Sequence, residues 1–397
     1  MVRREVYLKK LRGYKDKQLI KVVTGIRRCG KSTLLEMFRN ELLEQGVSPD
    51  RFISVNFEDM DNSHLLEPEL LHQYITERLS KEMTYVFLDE VQLVGEFEKV
   101  IDSLHLRKNV DLYVTGSNAN MLSGELATML SGRYIEIAML PFSLQEFAAG
   151  TGIADDWQKL YARYLQESSF PYVQELDGNT ELIRGYLEGV FNTVILKDVV
   201  ARKKVSDVMM LDSVIRFLFD AIGSTVSIKK ISDTMTSMGR KISTGTVESY
   251  IQGLVDSYIL YQVKRYDLKG KQHLKTQEKY YVADLGLRSL ILGRQHTDVG
   301  HILENIVYLE LLRRGYEINI GKIGAYEVDF VARSADETLY FQVAATVHPE
   351  ETLKRELRSL QAIKDHHPKF ILTLDPDPRS NIDGIWLMNG IEYFLAN

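Results

Sequence analysis

The chain has 397 residues, of which 45% are hydrophobic and 26% charged, with a formal net charge of −6 and a pI of about 5.9. This length predicts two or three globular domains, and the acidic balance excludes a global basic field for nucleic acid, so that any such binding needs a local patch. Cys29 is the single cysteine, which excludes a disulfide within the chain and suits a reducing compartment. The sequence contains no run of 18 apolar residues, so no membrane span is predicted. The N-terminus lacks the apolar stretch of a signal peptide, and we therefore expect a cytoplasmic protein.

The N-terminal region predicts a turn that holds phosphate. Residues 1–18 form a basic, amphipathic lead-in, and residues 19–24 are short and β-branched, as in a buried strand. The next residues, Gly25-Ile26-Arg27-Arg28-Cys29-Gly30-Lys31-Ser32, fit G-x-x-x-x-G-K-[ST], and apolar residues at helical spacing follow over 31–45. A strand, a glycine-rich turn and a helix are the arrangement of a phosphate-binding loop.

Each position of this loop has a physical role. Gly25 and Gly30 let the backbone turn tightly, and the helix that opens near Lys31 adds its positive end. Lys31 can reach the β- and γ-phosphates, and the Ser32 hydroxyl can ligate Mg²⁺. The predicted cofactors are ATP and Mg²⁺, although no base-selecting motif separates ATP from GTP. The predicted nucleotide contacts in the loop are Gly25, Arg28, Cys29, Gly30, Lys31, Ser32 and Thr33. For Cys29, a small filler and a redox-sensitive thiol are both open.

A second buried strand, predicted over 84–89, ends in two acids. Asp89 and Glu90 follow four apolar residues and lie at the carboxyl tip, where ligands bind in a parallel sheet. We expect Asp89 to hold Mg²⁺ and Glu90 to polarise the attacking water.

A third strand, predicted over 110–115, ends in the polar turn Thr115-Gly116-Ser117-Asn118. Ser117 and Asn118 are both candidates for contact with the γ-phosphate or the water, and the sequence does not choose between them. Further strands are predicted at 51–57 and 134–139, and further helices at 65–80, 96–105 and 123–132. This alternation predicts a parallel sheet covered on both faces by helices.

The middle of the chain is predominantly helical. Aromatic and leucine residues at three- and four-residue intervals over 144–219 predict a helical lid. Residues 191–202 predict one helix with Asp198 and Arg202 on the same face. A surface ion pair is the default interpretation, and an Arg202 that faces the nucleotide or a neighbouring subunit is the alternative.

Residues 225–283 have the outline of a winged helix. Two helices, beginning near Ser227 and Ser243, precede two strands at 259–266 and 279–283. The ribbon between Lys264 and Lys279 contains six Lys and Arg residues against two acids. A solvated hairpin tip and a contact to DNA phosphates are the two interpretations of this basic ribbon.

Beyond residue 299 the α/β character returns. Helices are predicted at 301–314 and 354–363, with strands at 317–320, 327–332, 339–344, 370–374 and 384–386. This part is large enough for a core of its own.

At this point nearly the whole chain resembles a family of bacterial and archaeal AAA+-type P-loop ATPases that join a P-loop core to a winged helix and a C-terminal restriction-nuclease-like domain. The family-specific residues are Ser131-Gly132-Arg133-Tyr134, Pro141-Phe142-Ser143 and Glu146-Phe147, beside the general loop and Leu88-Asp89-Glu90 motifs. The resemblance implies a P-loop ATPase core at 1–145, a helical lid at 146–222, a winged helix at 223–298 and a nuclease-like α/β domain at 299–397. It also nominates Arg133 to stabilise charge on the γ-phosphate, within the subunit or across an oligomer interface. The alternative interpretation of Arg133 is a structural salt bridge at a helix end.

The C-terminal domain departs from the active PD-(D/E)XK pattern. Glu304 fits the helix position, and Asp329 fits the first strand position. On the next strand Gln342 replaces the acid and Ala344 replaces the lysine, so the charges that metal-assisted cleavage requires are missing. We expect a degenerate domain without nuclease activity.

The leading prediction is an enzyme that binds and hydrolyses ATP with Mg²⁺ and uses the reaction to move its domains, on DNA or on a protein partner. The alternative is a nucleotide-gated DNA-binding switch with little turnover. An ATP-dependent nuclease is a third interpretation, which Ala344 argues against.

Overall fold

The structure is a computed structural model that describes residues 2–119, 132–153, 156–293, 298–376 and 380–396. It divides into two units, Met1–Pro141 with Asp256–Tyr258, and Phe142–Val255 with Ile259–Asn397. Apart from Gly132, the helix predicted at 123–132 lies outside the described residues, as does Ser131 of the family-specific motif.

The first unit contains the predicted parallel sheet. Its strands are β1 (Ile20–Thr24), β2 (Phe52–Asn56), β3 (Thr84–Asp89), β4 (Val110–Gly116) and β5 (Tyr134–Ala138). They lie in the order β2-β3-β4-β1-β5, and every neighbouring pair is parallel. The five strand predictions are confirmed to within one or two residues. β1, β3 and β4 are buried along their whole length, which explains their nearly continuous apolar sequences.

Four α-helices belong to the described part of this unit. They are α1 (Glu5–Tyr14), α2 (Lys31–Glu44), α3 (Pro68–Thr76) and α4 (Phe97–His105), with 3₁₀ turns at Pro49–Arg51, Met60–Leu66 and Val91–Leu93. The lead-in is therefore a helix, α1, and it buries Tyr7, Leu8 and Leu11. The helix predicted at 65–80 is shorter than expected, because Pro68 occupies its first turn and a 3₁₀ segment precedes it.

The helices described in the second unit lie before, between and after its strands. They are α5 (Leu144–Thr151), α6 (Trp157–Gln166), α7 (Thr180–Thr193), α8 (Val208–Asp220), α9 (Ile228–Ser237), α10 (Thr244–Asp256), α11 (Leu285–Leu292), α12 (Val299–Arg313), α13 (Glu350–Gln361) and α14 (Gly390–Ala396), with a 3₁₀ turn at Pro171–Leu176. α5 starts with a capping box in which Ser143 and Glu146 bond each other's backbone N–H groups.

The helix predicted over 191–202 is the end of a longer run. α7 continues as a π-helical section, Val194–Val200, and a final helical turn, Ala201–Lys203. Arg202 lies 3.4 Å from Oδ1 of Asp198, as the four-residue spacing predicts, but the Asp198 side chain is buried. The expected surface ion pair is therefore a partly buried one, because Asp198 lies on the packed side of the run.

An eight-stranded sheet completes the second unit. Its strands are β6 (Leu260–Asp267), β7 (Gln272–Val282), β8 (Glu317–Ile323), β9 (Tyr326–Arg333), β10 (Thr338–Val343), β11 (Lys369–Thr373), β12 (Ser380–Ile382) and β13 (Ile385–Asn389). The order is β12-β13-β11-β10-β9-β8-β6-β7.

The basic ribbon is part of this sheet. β6 and β7 form the predicted antiparallel hairpin, but residues 265–267 of β6 also pair in parallel with residues 320–322 of β8. The expectation of a wing separate from the C-terminal domain is therefore corrected, because the predicted boundary at 298/299 cuts between paired strands of one sheet. None of the helices in the described ranges has the length and apolarity to cross a membrane.

Candidate functional site

The turn between β1 and α2 has the backbone that its sequence predicts. Gly25 lies at φ 141°, and a Cβ atom there would come within 2.1 Å of the carbonyl oxygen of Met139. Gly30 is the N-cap of α2 at φ 100°, and the exposed Arg28 lies between them at φ 67°. Because the turn leads directly into the amino end of α2, the free N–H groups of that end favour an anion at this point.

Arg4 supports the turn from the N-terminal segment. It is buried, and its guanidinium donates hydrogen bonds to the carbonyl oxygens of Cys29 at 3.0 Å and Leu140 at 2.7 Å. Cys29 is fully buried, and burial raises the pKa of its thiol. A thiolate is therefore disfavoured, and the structure supports the small-filler interpretation of Cys29 over the redox-sensitive one. Sequence analysis did not single out Arg4, because its contacts join distant parts of the chain.

Lys31 points into the turn. Its ammonium donates hydrogen bonds to the carbonyl oxygens of Gly25 at 3.1 Å and Ile26 at 3.4 Å, and it lies 3.6 Å from Oε1 of Glu90. The side chain is only 3% exposed. A buried ammonium at the amino end of a helix gives the turn a strong positive charge, which suits a polyphosphate.

Asp89 and Ser32 are the two side chains predicted to hold a magnesium ion. Burial raises the pKa of Asp89, and hydrogen bonds from Thr115 and Ser32 oppose that rise. A hydroxyl and a carboxylate that meet beside a phosphate-binding turn fit Mg²⁺, which prefers one or two protein oxygens together with phosphate and water. When bound there, Mg²⁺ would neutralise charge on the phosphates. Thr33, the next loop residue, is half-buried on α2.

Glu90 lies directly beyond the tip of β3 in a left-handed conformation, at φ 56°. Burial disfavours its charged form, but the Lys31 ammonium, a hydrogen bond from the Gln92 amide and the charge of Arg27 outweigh burial, so that the pKa of Glu90 lies below its ordinary value. Glu90 is therefore an ionised carboxylate at neutral pH, as a group that accepts a proton from water must be.

Thr115 is a site residue that sequence analysis quoted but did not select. Its hydroxyl donates a hydrogen bond to Oδ1 of Asp89 at 2.5 Å and accepts one from the backbone N–H of Glu90 at 2.8 Å. Thr115 is fully buried near the end of β4. The available signal was the strand order, because a residue at the tip of the strand beside β3 must lie near Asp89.

Of the two polar residues in the turn after β4, the structure brings Ser117 to Glu90, whose pKa it helps to lower. Ser117 and Asn118 are both buried. This proximity is compatible with the prediction that the turn contributes to the site, and Ser117 and Asn118 both stay candidates for contact with the γ-phosphate or the water.

Arg133 is not brought to this site within its own chain. Its backbone carbonyl pairs with Ile20 at the amino end of β1, whereas Gly25 follows the carboxyl end of that five-residue strand. The two edges are roughly 16 Å apart at 3.3 Å per residue. The Arg133 guanidinium lies 2.5 Å from Oδ1 of Asp102. Of the alternatives open for Arg133, action within its own subunit is disfavoured, because the strand direction puts this residue at the opposite edge of the sheet, and the salt bridge is the interaction that the structure contains.

The second unit contains a separate cluster of charges around Lys279. This lysine of β7 is buried, and its ammonium lies 2.9 Å from Oε1 of Glu304, 3.2 Å from Oε1 of Glu327 and 3.2 Å from Oδ1 of Asp329. Burial disfavours the ammonium, but the three carboxylates outweigh it and raise the pKa of Lys279. Glu304 is buried, and this burial raises its pKa to about 7 against the opposing effect of Lys279.

This cluster lines a cavity of about 740 Å³ that also includes Gln342 and Glu356. Oε1 of Gln342 accepts a hydrogen bond from the Asp329 N–H at 2.7 Å, and its amide nitrogen donates to Glu356 at 2.6 Å. Ala344 supplies no charge at the position where the nuclease motif has a lysine, but Lys279 reaches the cluster from β7. Among the described side chains, no group of three or more acids, histidines or cysteines is arranged to hold a metal ion.

The basic ribbon is smaller than its sequence suggests. Lys279 is buried in the carboxylate cluster, and Arg265 lies 3.8 Å from Glu327. Neither residue therefore belongs to an exposed basic patch, because both side chains pair with carboxylates inside the unit. Among the described side chains of the ribbon, the exposed lysines are Lys264, Lys269 and Lys271.

Comparisons with known proteins support a P-loop fold for the first unit. Residues 17–148 match a family described as an AAA domain, and residues 158–298 match a domain of unknown function. An uncharacterized protein of Haemophilus influenzae is 40% identical over 100% of this chain and 99% of its own length. An uncharacterized protein of Methanocaldococcus jannaschii is 30% identical over 87% of this chain and 79% of its own length.

A solved Walker-type ATPase of Pyrococcus abyssi superposes with a TM-score of 0.50 and 16% sequence identity, over 73% of this chain and 96% of that one. At this identity the likeness concerns the fold, and it supports a P-loop ATPase fold with the parallel sheet described above.

Proposed function

This chain belongs to the same family as the uncharacterized Haemophilus influenzae protein, with an AAA domain in its first unit, and from that premise we propose that it binds and hydrolyses ATP with Mg²⁺ and uses the reaction to move its domains. The observation that carries this proposal is the meeting of Lys31, which follows β1, with Asp89 and Glu90 at the carboxyl end of β3, where β4 lies between the two strands. A chance match to the loop motif would not bring a buried lysine within 3.6 Å of an ionised glutamate.

Each residue has a role in the proposed reaction. The amino end of α2 and the Lys31 ammonium would bind the β- and γ-phosphates, and Ser32 with Asp89 would hold Mg²⁺. Glu90 would orient the attacking water and accept its proton, and Ser117 would lie near the γ-phosphate or this water. The Gly25, Arg28, Cys29, Gly30 and Thr33 backbone would surround the phosphates, and Asn118 would lie near the γ-phosphate.

Replacement of Lys31 tests the proposal directly. We expect Lys31→Ala to reduce steady-state release of phosphate from ATP by about 100-fold or more, since the charge on the phosphates loses its nearest partner. The matched control is Lys9→Ala on the exposed side of α1, which should retain wild-type turnover. Unchanged hydrolysis in Lys31→Ala would reject the assignment, and so would a wild-type protein that neither binds nor hydrolyses ATP.

We assign any contribution of Arg133 to the nucleotide of a neighbouring copy. It is 45% exposed and lies at the strand edge opposite its own loop. A guanidinium in that position can reach a γ-phosphate only in another subunit, so this role requires an oligomer.

A second candidate function is a nucleotide-gated DNA-binding switch, in which slow hydrolysis resets binding. The observation in its favour is the exposed ribbon with Lys264, Lys269 and Lys271, where Tyr266 and His273 pack edge to face. Lysines beside aromatic rings suit a nucleic acid backbone, and the helices α9 and α10 before the ribbon keep the winged-helix outline.

We also propose that the C-terminal domain, although nuclease-like in its sequence motifs, does not cleave DNA. The Lys279 ammonium lies among Glu304, Glu327 and Asp329, so a side-chain cation already occupies the space between those carboxylates. Supercoiled plasmid incubated with the protein, ATP and Mg²⁺ or Mn²⁺ should stay intact. Nicking that disappears in Asp329→Asn would overturn this part of the proposal.

A further inference from the structure

Thr115 connects the two acids of the candidate site through one hydroxyl group. The backbone N–H of Glu90 can only donate, so Oγ1 of Thr115 must accept that bond at 2.8 Å. The single hydroxyl proton is then left for Oδ1 of Asp89, at 2.5 Å. Both bonds are made inside the protein, because Thr115 is fully buried.

The pairing of two strands produces this arrangement. β3 and β4 run in parallel, and Leu88 of β3 lies opposite Val114 of β4. One residue further, the register sets Thr115 beside Asp89 just before the chain turns at Glu90. A hydroxyl on β4 is therefore the group best placed to reach both the Asp89 side chain and the first backbone N–H beyond β3.

The two bonds have different consequences. The bond to Oδ1 fixes the rotation of the Asp89 carboxylate and leaves its other oxygen to ligate a cation. The bond from the N–H holds Glu90 in its left-handed conformation, at φ 56°, which L-residues other than Asn and Asp seldom adopt. Loss of the hydroxyl would free the Asp89 carboxylate to rotate and the Glu90 backbone to relax.

We propose that Thr115 is a positioning residue of the nucleotide site, which orients Asp89 for Mg²⁺ and Glu90 for the attacking water. This inference rests on the proposed ATP hydrolysis. Thr115 itself touches neither phosphate nor water in this assignment. Its effect reaches the reaction through the two acids, as partners of metal ligands commonly act.

The test is the Mg²⁺ dependence of turnover in Thr115→Val, which keeps the shape of the side chain and removes the hydroxyl. We expect the Mg²⁺ concentration for half-maximal turnover to rise about 10-fold and kcat to fall about 10- to 100-fold. Binding of a fluorescent ATP analogue in the presence of a chelator should stay within about twofold of wild type, because the loop and Lys31 are unchanged. Thr115→Ser keeps the hydroxyl and should recover most of both losses.

Thr84→Val is the matched control. Thr84 is also fully buried, in the first position of β3, and its hydroxyl bonds with Ser80 at the opposite edge of the same sheet. Its removal should lower thermal stability without changing the Mg²⁺ dependence. A purely structural Thr115 would behave like Thr84, and that result would overturn the inference.

The outcomes separate the two levels of the proposal. Wild-type protein without ATP binding or turnover would reject the proposed function itself. Active wild-type protein with a normal Mg²⁺ dependence in Thr115→Val would reject only the role of Thr115. Should Thr115→Val fail to fold, Thr115→Cys keeps a similar volume with a weaker donor, and the same rise in the Mg²⁺ requirement is expected of it.

Discussion

The ammonium nitrogen of Lys31 lies 3.6 Å from Oε1 of Glu90, so that the phosphate-binding lysine and the proposed general base form an ion pair across the tip of β3. This pair couples two steps of the proposed reaction. A phosphate that attracts Lys31 competes with Glu90 for the same ammonium, and Glu90 then has its carboxylate available for water. Binding and activation of the water are thus linked through one side chain.

Replacement of Glu90 by Gln should separate binding from hydrolysis. We expect turnover to fall about 100-fold or more, because an amide does not accept the proton of water, while ATP affinity is retained or increased. Single-turnover hydrolysis and equilibrium binding of ATP measure the two effects. Glu82→Gln, an exposed glutamate just before the other end of β3, is the control and should change neither. Equal losses of binding and hydrolysis in Glu90→Gln would contradict this division of roles.

The stability of the second unit should fall between about pH 4.5 and pH 7 because of Glu304. Burial raises the pKa of Glu304 from 4.5 to about 7, so the folded protein keeps a proton that the unfolded chain has already lost. The stabilisation is complete below the unfolded pKa and is lost as the pH rises through the folded value. This amounts to up to about 3 kcal/mol. Lys279 stays charged throughout this window and adds no slope.

Chemical denaturation followed at several pH values checks this expectation. Glu304→Gln should flatten the decline, since its amide can still accept hydrogen bonds from Lys279 and Tyr281 but cannot titrate. Glu351→Gln, an exposed residue of α13, should retain the wild-type slope. A decline that persists in Glu304→Gln would assign the pH dependence to another group.

Lys279 should contribute strongly to the stability of the same unit. Lys279→Met removes the ammonium from three carboxylates, of which Glu304 is almost completely buried. Breaking a buried ion pair by removing one partner costs about 3–5 kcal/mol, and we expect a loss of that size in urea denaturation. Lys264→Met, an exposed lysine on the adjacent strand β6, should cost less than about 1 kcal/mol. A similar loss for both variants would mean that the cluster adds no specific stabilisation.

Local sequence signals predicted the strand, turn and helix boundaries of the candidate site well. The loop from Gly25 to Ser32 and the acids Asp89 and Glu90 are contiguous motifs, and each includes its own strand or helix boundary. Their geometry follows from short-range rules for glycine, helix ends and strand tips. Once five alternating strands were recognised, the meeting of these motifs at one edge of the sheet was an expected consequence of a parallel sheet.

Contacts between distant segments could not be predicted in this way. Lys21 lies in an otherwise apolar strand, yet it is buried against Asp111, 90 residues away. Lys279 belongs to a basic ribbon by sequence, but its partners Glu304, Glu327 and Asp329 lie on other elements. In both cases the charge pattern of one segment suggests exposure, and only the pairing of strands reveals the internal partner. The role of Thr115 also depends on the pairing of β3 with β4, although no charge pattern is involved.

DNA binding, where it occurs, should depend on the exposed lysines of the ribbon and not on Lys279. Combined replacement of Lys264, Lys269 and Lys271 by Gln should reduce the slope of log affinity against log salt by up to about 2.7, since each phosphate contact contributes about 0.9. Titration of duplex DNA across salt concentrations, with and without ATP, measures this slope. Gln replacements of the exposed lysines Lys108, Lys159 and Lys364 form a charge-matched control. A slope that survives loss of the ribbon lysines would exclude the ribbon as a DNA contact.

Arg133 provides a test for action between subunits. It is bound to Asp102 at the edge of the sheet opposite its own loop, so Arg133→Ala should leave nucleotide binding intact. Turnover should fall about 100-fold or more if the guanidinium stabilises the γ-phosphate of a neighbour. A mixture of Arg133→Ala with Glu90→Gln should then recover part of the activity, because some interfaces pair an intact arginine with an intact glutamate. Asp102→Asn removes the same ion pair while keeping the arginine, and it should remain active. Wild-type turnover in Arg133→Ala would mean that Arg133 forms only a structural salt bridge. A mixture without recovered activity would mean that Arg133 acts inside its own chain. That result would contradict the strand order, which separates Arg133 from Lys31.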